Sequence, residues 1–250
     1  MHKAHRLKSV PLGANNLSAS VAQASACVSL PISSTSRFDR ACAGRCQPYS
    51  SGVTDAIIDL SHFNPNPNFA LATITGVLGV IHKATQGVTF VDPAYAQHHN
   101  AAASAGLYWG AYHFGDGTDG FAQANFFLER IGPAHPAVLA LDFEQNPGGP
   151  SMTLDRARAF VTQIQAVTGR WPGLYGGAYL KQMLGDAKDP VLGNCWFWLA
   201  QYTQAPTVPA NWTAWTLWQY TNIATVAGIG PCDRSRFNGS TADLQAFFTR

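Results

Sequence analysis

Residues 137–144 read Ala-Val-Leu-Ala-Leu-Asp-Phe-Glu. Five apolar residues without polar alternation describe a strand buried on both faces, as in a parallel sheet covered by helices. The run closes on an acid, an aromatic and an acid. On a strand, side chains at i and i+2 share one face, about 6.5–7 Å apart at Cα. Asp142 and Glu144 therefore point together, and Phe143 points the other way. Two carboxylates forced into one pocket repel, which pushes one of them toward its protonated form. That pairing suits a reaction in which one group donates a proton and its neighbour stabilises positive charge.

Seven further apolar runs surround this one: 56–59, 77–83, 107–114, 173–176, 196–201, 216–220 and 232–237. Helical patterns fill gaps at 93–105, 120–131, 154–168 and 178–184. Asp92-Pro93 and Thr153-Leu154 read as helix starts, and Gly106 and Gly169 as stops. Alternating strands and helices imply a parallel sheet with right-handed crossovers. After residue 190 the loops are short and carry Pro206, Pro209 and Pro231, leaving no room for full helices. The count describes an α/β chain: an incomplete TIM-like barrel of eight strands, with helices missing after the last three.

This barrel is assigned to residues 53–250. Residues 1–52 differ: they are rich in Ser and Ala, lack a sustained period and carry a net charge of +5, against −3 for the remainder. Their basic start resembles an export signal, interrupted by Asn15, Asn16 and Gln23, with Ala24-Ser25-Ala26 as a possible cleavage site. The alternative is a poorly ordered leader. Cys27, Cys42 and Cys46 fall in it; Cys195 and Cys232, in the barrel, are either one disulfide or two buried thiols. Only 12% of residues are charged, about half the usual share. No apolar run reaches the roughly eighteen residues of a membrane span, and a net charge of +2 does not indicate nucleic acid. An aromatic-rich, mildly acidic barrel suits neutral polymers such as sugars.

Barrel active sites sit at the C-terminal ends of the strands. Read in order, those ends are Asp59, Lys83, Tyr112-His113, Asp142 with Glu144, Tyr175, Trp198 with Gln201, Gln219 and Asp233. Four are carboxylates in a charge-poor chain whose only glutamates are Glu129 and Glu144. Tyr112, Tyr175, Trp198 and Trp218 offer ring faces for sugars, although Trp196 and Trp218 read better as core packing. Lys83 is a candidate charge partner for a carboxylate. The histidines show no metal-ligand spacing, and there is neither a nucleophile elbow nor a phosphate-cradling glycine loop, so no metal and no cofactor are expected.

The ordered set Asp59-Leu60-Ser61-His62, IHKATQG (81–87), Asp92 with Tyr95, AGLYWGAYHF (105–114), LDFE (141–144), WLAQY (198–202), LWQYT (217–221) and Cys232-Asp233 closely resembles glycoside hydrolase family 25, the Chalaropsis-type N-acetylmuramidases. The resemblance covers about residues 53–250. It implies a (β/α)5(β)3 barrel and hydrolysis of the β-1,4 bond between N-acetylmuramic acid and N-acetylglucosamine, with peptidoglycan glycan strands as the partner. Carried over, Glu144 is the general acid and Asp142 assists it. Asp59 and Asp233 complete an acidic floor, and Tyr112, Tyr175, Trp198 and Gln219 line the saccharide groove; Lys83 and Gln201, read at the strand ends, are further candidates for substrate binding. Retention is expected, by assistance from the substrate's acetamido group in preference to a covalent path through a carboxylate about 5–5.5 Å across the bond from Glu144; a monomer is expected, acting at the cell wall, extracellular or periplasmic, or delivered in the manner of a phage or a secretion system. Two departures stand out: Arg234 and Arg236 beside the final acidic position, and a leader that is not a clean export signal. A chitinase-like barrel would require Asp at positions 137 and 140, where Ala stands. The same acids would also suit an inactive wall-binding barrel or a structural cation site.

Overall fold

The computed structural model describes residues 52–250. The leader readings, namely the export signal, the Ala24-Ser25-Ala26 site and Cys27, Cys42 and Cys46, lie outside the described residues. The first half of the barrel comprises β1 (Thr54–Leu60), α1 (Phe69–Ile74), β2 (Gly79–Gln86), a two-residue β3 (Phe90–Val91), α2 (Tyr95–Ser104), β4 (Tyr108–Phe114) and α3 (Gly120–Ile131). Then follow β5 (Val138–Asp142), α4 (Leu154–Thr168), β6 (Gly173–Gly176), α5 (Ala178–Leu184), a 3₁₀ turn at Leu192–Asn194 and β7 (Trp196–Ala200). The chain ends with β8 (Leu217–Val226), β9 (Gly230–Phe237) and α6 (Thr241–Thr249).

Eight strands close into a ring in the order β1-β9-β8-β7-β6-β5-β4-β2, sealed by a parallel β1–β2 pairing, with β3 added on the edge of β2. Pairing is parallel from β1 through β2 and on to β8. Only β9 runs antiparallel to both its ring neighbours, so β8 and β9 join without a crossover, while the parallel β7 and β8 are joined by residues 201–216 without a helix. All eight strand readings correspond to strands of this ring. Two helices were not anticipated, α1 and α6; β8 runs six residues past the segment expected, and β9 begins two residues earlier.

Local chemistry sets the helix ends. The Thr153 side chain accepts from Arg156 N, and Gly169 adopts the left-handed conformation that stops α4. The expected start at Asp92-Pro93 is displaced: α2 begins at Tyr95, and Asp92 is diverted. Its carboxylate accepts from Ala94 N at 3.0 Å and from both the backbone N and ring Nδ1 of His62, at 3.1 and 2.7 Å.

Two apolar layers follow from the strand alternation. Outward residues of the strands, such as Leu139, Leu141, Phe143, Phe197 and Leu199, pack with Phe127, Phe160 and Ile164 of the helices. Inward residues, including Ile81, Val138, Ala140, Leu217 and Phe237, fill the barrel. Helix α6 stops the lower end: Phe248 stacks on Tyr108, and Phe247 meets Trp196 and Phe237, all at strand ends opposite the acidic mouth. Trp196 is therefore core packing, but on the same inner face as Trp198, two residues away. Trp218 faces outward, against Trp215 and the Arg236 guanidinium. Cys195 and Cys232 are two buried, unbonded thiols, and burial pushes the Cys232 thiol up to about 12. No helix among the described residues is long and apolar enough to cross a membrane.

Candidate active site

The upper ends of the strands bring the acids together. Asp59, one residue from the end of β1, pairs directly with Asp233 of β9 in the antiparallel register, a position that sets Cα atoms about 4.5–5.5 Å apart. Asp142 ends β5, opposite Tyr175 of β6 and Phe114 of β4. Glu144 lies just beyond the strand, and Phe143 between them is fully buried in the outer layer, which keeps the two acids on the inner side. Asp59 and Asp142 are both 7% exposed, while Glu144 and Asp233 are half-buried.

Four carboxylates in one buried mouth cannot all ionise at ordinary cost. Burial, then Asp233, raises Glu144 from the usual carboxylate range to about 7. Burial and the charge of Glu144 raise Asp142 well above that range, opposed by the ammonium of Lys83. Asp59 is raised by burial and by Asp233, and a hydrogen bond from Gln219 pulls the other way.

That bond belongs to a fixed chain. Gln219 Nε2 donates to both carboxylate oxygens of Asp59 at 3.0 Å. Its Oε1 accepts from the hydroxyls of Tyr175 at 2.9 Å and Tyr202 at 2.8 Å. Two hydroxyl donors on the oxygen leave only the nitrogen for the acid, so the orientation of the amide is determined. Burial and the surrounding acids raise the Tyr175 and Tyr202 hydroxyls, which keeps them as donors.

Of the ten residues singled out from the sequence, eight meet at this mouth. Tyr112, in register with Lys83 and Ala140, is half-buried, with its hydroxyl raised by burial and by Asp142. Trp198 does not wall a groove: at 2% exposed it packs edge-on against Tyr175 and Tyr112, 4.8 and 6.5 Å away between centroids, and donates to Ser235 Oγ at 3.0 Å. Gln201 is the other exception. Its side chain accepts from Lys181 Nζ at 2.9 Å and Thr207 N at 3.0 Å, one residue out of phase with the inward face of β7. Lys83 is inside, donating to Gln86 Oε1 at 2.7 Å.

Tyr202 is the residue that strand-end reading passed over. It follows β7 by two residues, is 45% exposed, and reaches back to Gln219. The signal was present in WLAQY, but a tyrosine beyond a strand end has no parity to orient it.

Residues 58–229 match the model of glycosyl hydrolases family 25. The chain is similar to lysozyme M1 of Streptomyces globisporus, 31% identical over 214 residues, covering 79% of this chain and 71% of that one. It is also similar to the N,O-diacetylmuramidase of Chalaropsis sp, 31% identical over 209 residues, covering 76% of this chain and 97% of that one. A family GH25 lysozyme from Aspergillus fumigatus superposes with a TM-score of 0.70 at 30% identity, covering 80% of this chain and all of that one.

Proposed function

Since the chain belongs to glycosyl hydrolases family 25 and is a glycoside hydrolase, we propose that it is a lysozyme-type muramidase. Its bond is the β-1,4 link from N-acetylmuramic acid to N-acetylglucosamine in peptidoglycan. The observation that carries this reading is the convergence of Asp59, Asp142, Glu144 and Asp233 at one barrel mouth, with Glu144 raised to about 7. A carboxylic acid still protonated near neutrality can protonate a glycosidic oxygen.

The proton of Glu144 goes to the bridging oxygen as the C1–O bond breaks, and the N-acetylglucosamine side leaves as an alcohol. Asp142 assists by holding the 2-acetamido N–H of the muramic acid ring, whose carbonyl oxygen closes on C1. Among the described residues, the buried Asp142 Oδ1 has no hydrogen-bond partner, which suits an acceptor awaiting a substrate donor. Water, deprotonated by the Glu144 carboxylate, then opens the ring, so two inversions give retention. Asp233 keeps Glu144 protonated by its charge. Asp59, oriented by Gln219 and Tyr175, completes the acidic floor. Tyr112, Tyr175 and Tyr202 line the sugar groove, with Trp198 packed against Tyr175 and Tyr112.

The catalytic unit is the barrel of residues 53–250, with five βα units followed by three strands, acting as a monomer on the glycan strands of the cell wall. Substrate assistance is tested by a glycan whose 2-acetamido group is replaced by hydroxyl. Turnover falls by about 10²-fold or more if the acetamido group supplies the nucleophile. Undiminished turnover contradicts that route.

A further inference from the structure

Gln201 does not face the mouth, yet it is tied through both its backbone and its side chain. Its backbone N donates to Gln219 O at 3.1 Å, and its backbone O accepts from Trp218 Nε1 at 2.7 Å. Its Oε1 accepts from Lys181 Nζ at 2.9 Å, from Thr207 N at 3.0 Å and from Thr207 Oγ1 at 3.2 Å. Lys181 stands outside the barrel on α5 and also donates to Thr207 O at 2.8 Å and Thr207 Oγ1 at 3.1 Å. An ammonium carries three N–H groups, and here three neutral oxygens converge on it. A lysine so engaged gives up the rotamer freedom that a solvated one keeps.

Residues 201 and 207 thereby become the neck of a loop. Residues 202–206 hang from it without helix or strand. Tyr202 is the first of them, and its hydroxyl enters the mouth to reach Gln219 Oε1 at 2.8 Å. At 45% exposed on such a loop, Tyr202 has little packing to fix it, so the position of the neck decides where the hydroxyl stands. Helix α5 is a firm anchor, because it starts hard against the end of β7. A Cβ on Gly177, the residue before α5, would lie 2.8 Å from Ala200 O. Lys181 thus joins the segment that follows Tyr175 to the loop that carries Tyr202. Those two tyrosines supply the hydroxyls that hold the Gln219 amide, and Gln219 Nε2 holds Asp59.

We propose that Lys181 is a positioning residue for the active site: through Gln201 and Thr207 it closes the neck of the 201–207 loop and holds the Tyr202 side chain at the mouth, its hydroxyl on Gln219 and the Gln219 amide turned to Asp59. The proposal rests on the muramidase reading above and extends the machinery of the mouth to a helix outside the barrel. It also gives Gln201 a role, as the knot of the loop.

The test is a double-mutant cycle in kcat/KM on purified cell walls. Lys181→Met keeps an unbranched stem and removes the donors. It lowers kcat/KM by about five- to tenfold, the scale of one or two hydrogen bonds. In a Tyr202→Ala background the same change costs less than about twofold, because the side chain that the neck positions is gone. A lysine that only stabilised the helix would cost the same in both backgrounds. Thr207→Val removes the hydroxyl link alone and, run through the same cycle, gives the same pattern with a smaller loss. It keeps the test decisive if Lys181→Met fails to fold. Hydrogen exchange at the Thr207 amide, which donates to Gln201, reads the neck without substrate and is faster in Lys181→Met. Equal losses in the two backgrounds, an unchanged kcat/KM in folded Lys181→Met, or Thr207 protection equal to the wild type overturns the proposal. Full activity of Glu144→Gln in the same assay overturns instead the reading on which it rests.

Discussion

Glu144→Gln lowers kcat/KM on purified cell walls by about 10²- to 10⁴-fold, the range expected when a positioned general acid is removed. Glutamine keeps the shape and loses the transferable proton. The same substitution carries a stability signature that a damaged fold would not. Glu144 is raised from 4.5 to about 7 by burial and Asp233, so its charged form disfavours the folded state. The stability it contributes is whole below the unfolded value and is lost as pH rises through the folded one. Glutamine cannot ionise, so the variant melts above the wild type at pH 8, and the difference closes by pH 4. A variant that is inactive and less stable at pH 8 would have lost activity for structural reasons.

Removing α6 abolishes the folded barrel. Leu244, Phe247 and Phe248 are all less than 10% exposed and close the lower end against Tyr108, Trp196 and Phe237. At about 1.5–3 kcal/mol for each buried apolar side chain, their loss amounts to about 5–9 kcal/mol. Marginal stabilities are about 5–15 kcal/mol, so most of the margin disappears. A chain ending before Ser240 is expected to lack a cooperative thermal transition, and one that melts cooperatively near the wild-type temperature contradicts the stopper role.

The two outcomes bear on different parts of the sequence, and those parts were not equally legible. Strand β5 announces itself because a strand covered by helices on one side and barrel interior on the other is apolar at every position until its end. The acids at 59, 142, 144 and 233 were legible for the same reason, since charge is tolerated only where a buried strand reaches the mouth. Helix α6 was less visible. Its apolar residues fall in a short terminal segment, although the Ser240–Asp243 capping box marks its start.

What the sequence could not provide was pairing and depth. The Asp59–Asp233 contact depends on an antiparallel register that includes a bulge between Asp55 and Ile57, and no local pattern encodes it. Trp198 and Tyr175 are direct register partners on neighbouring strands, yet one donates to Ser235 and the other to Gln219, because the partner a side chain finds inside the barrel is a three-dimensional matter. Gln201 was misplaced by counting one residue beyond β7, where the inward parity already belongs to Ala200. The hydroxyl of Tyr202 enters the mouth from a loop, where strand periodicity does not apply.

The most direct measurement is reduction and sugar analysis of the new chain ends released from purified peptidoglycan by the wild type and by Glu144→Gln. Muramitol is expected from the wild-type digest, rising with time, and almost none from the variant. Glucosaminitol as the new end, or equal release of muramitol by both proteins, would contradict the role given to Glu144 at the barrel mouth.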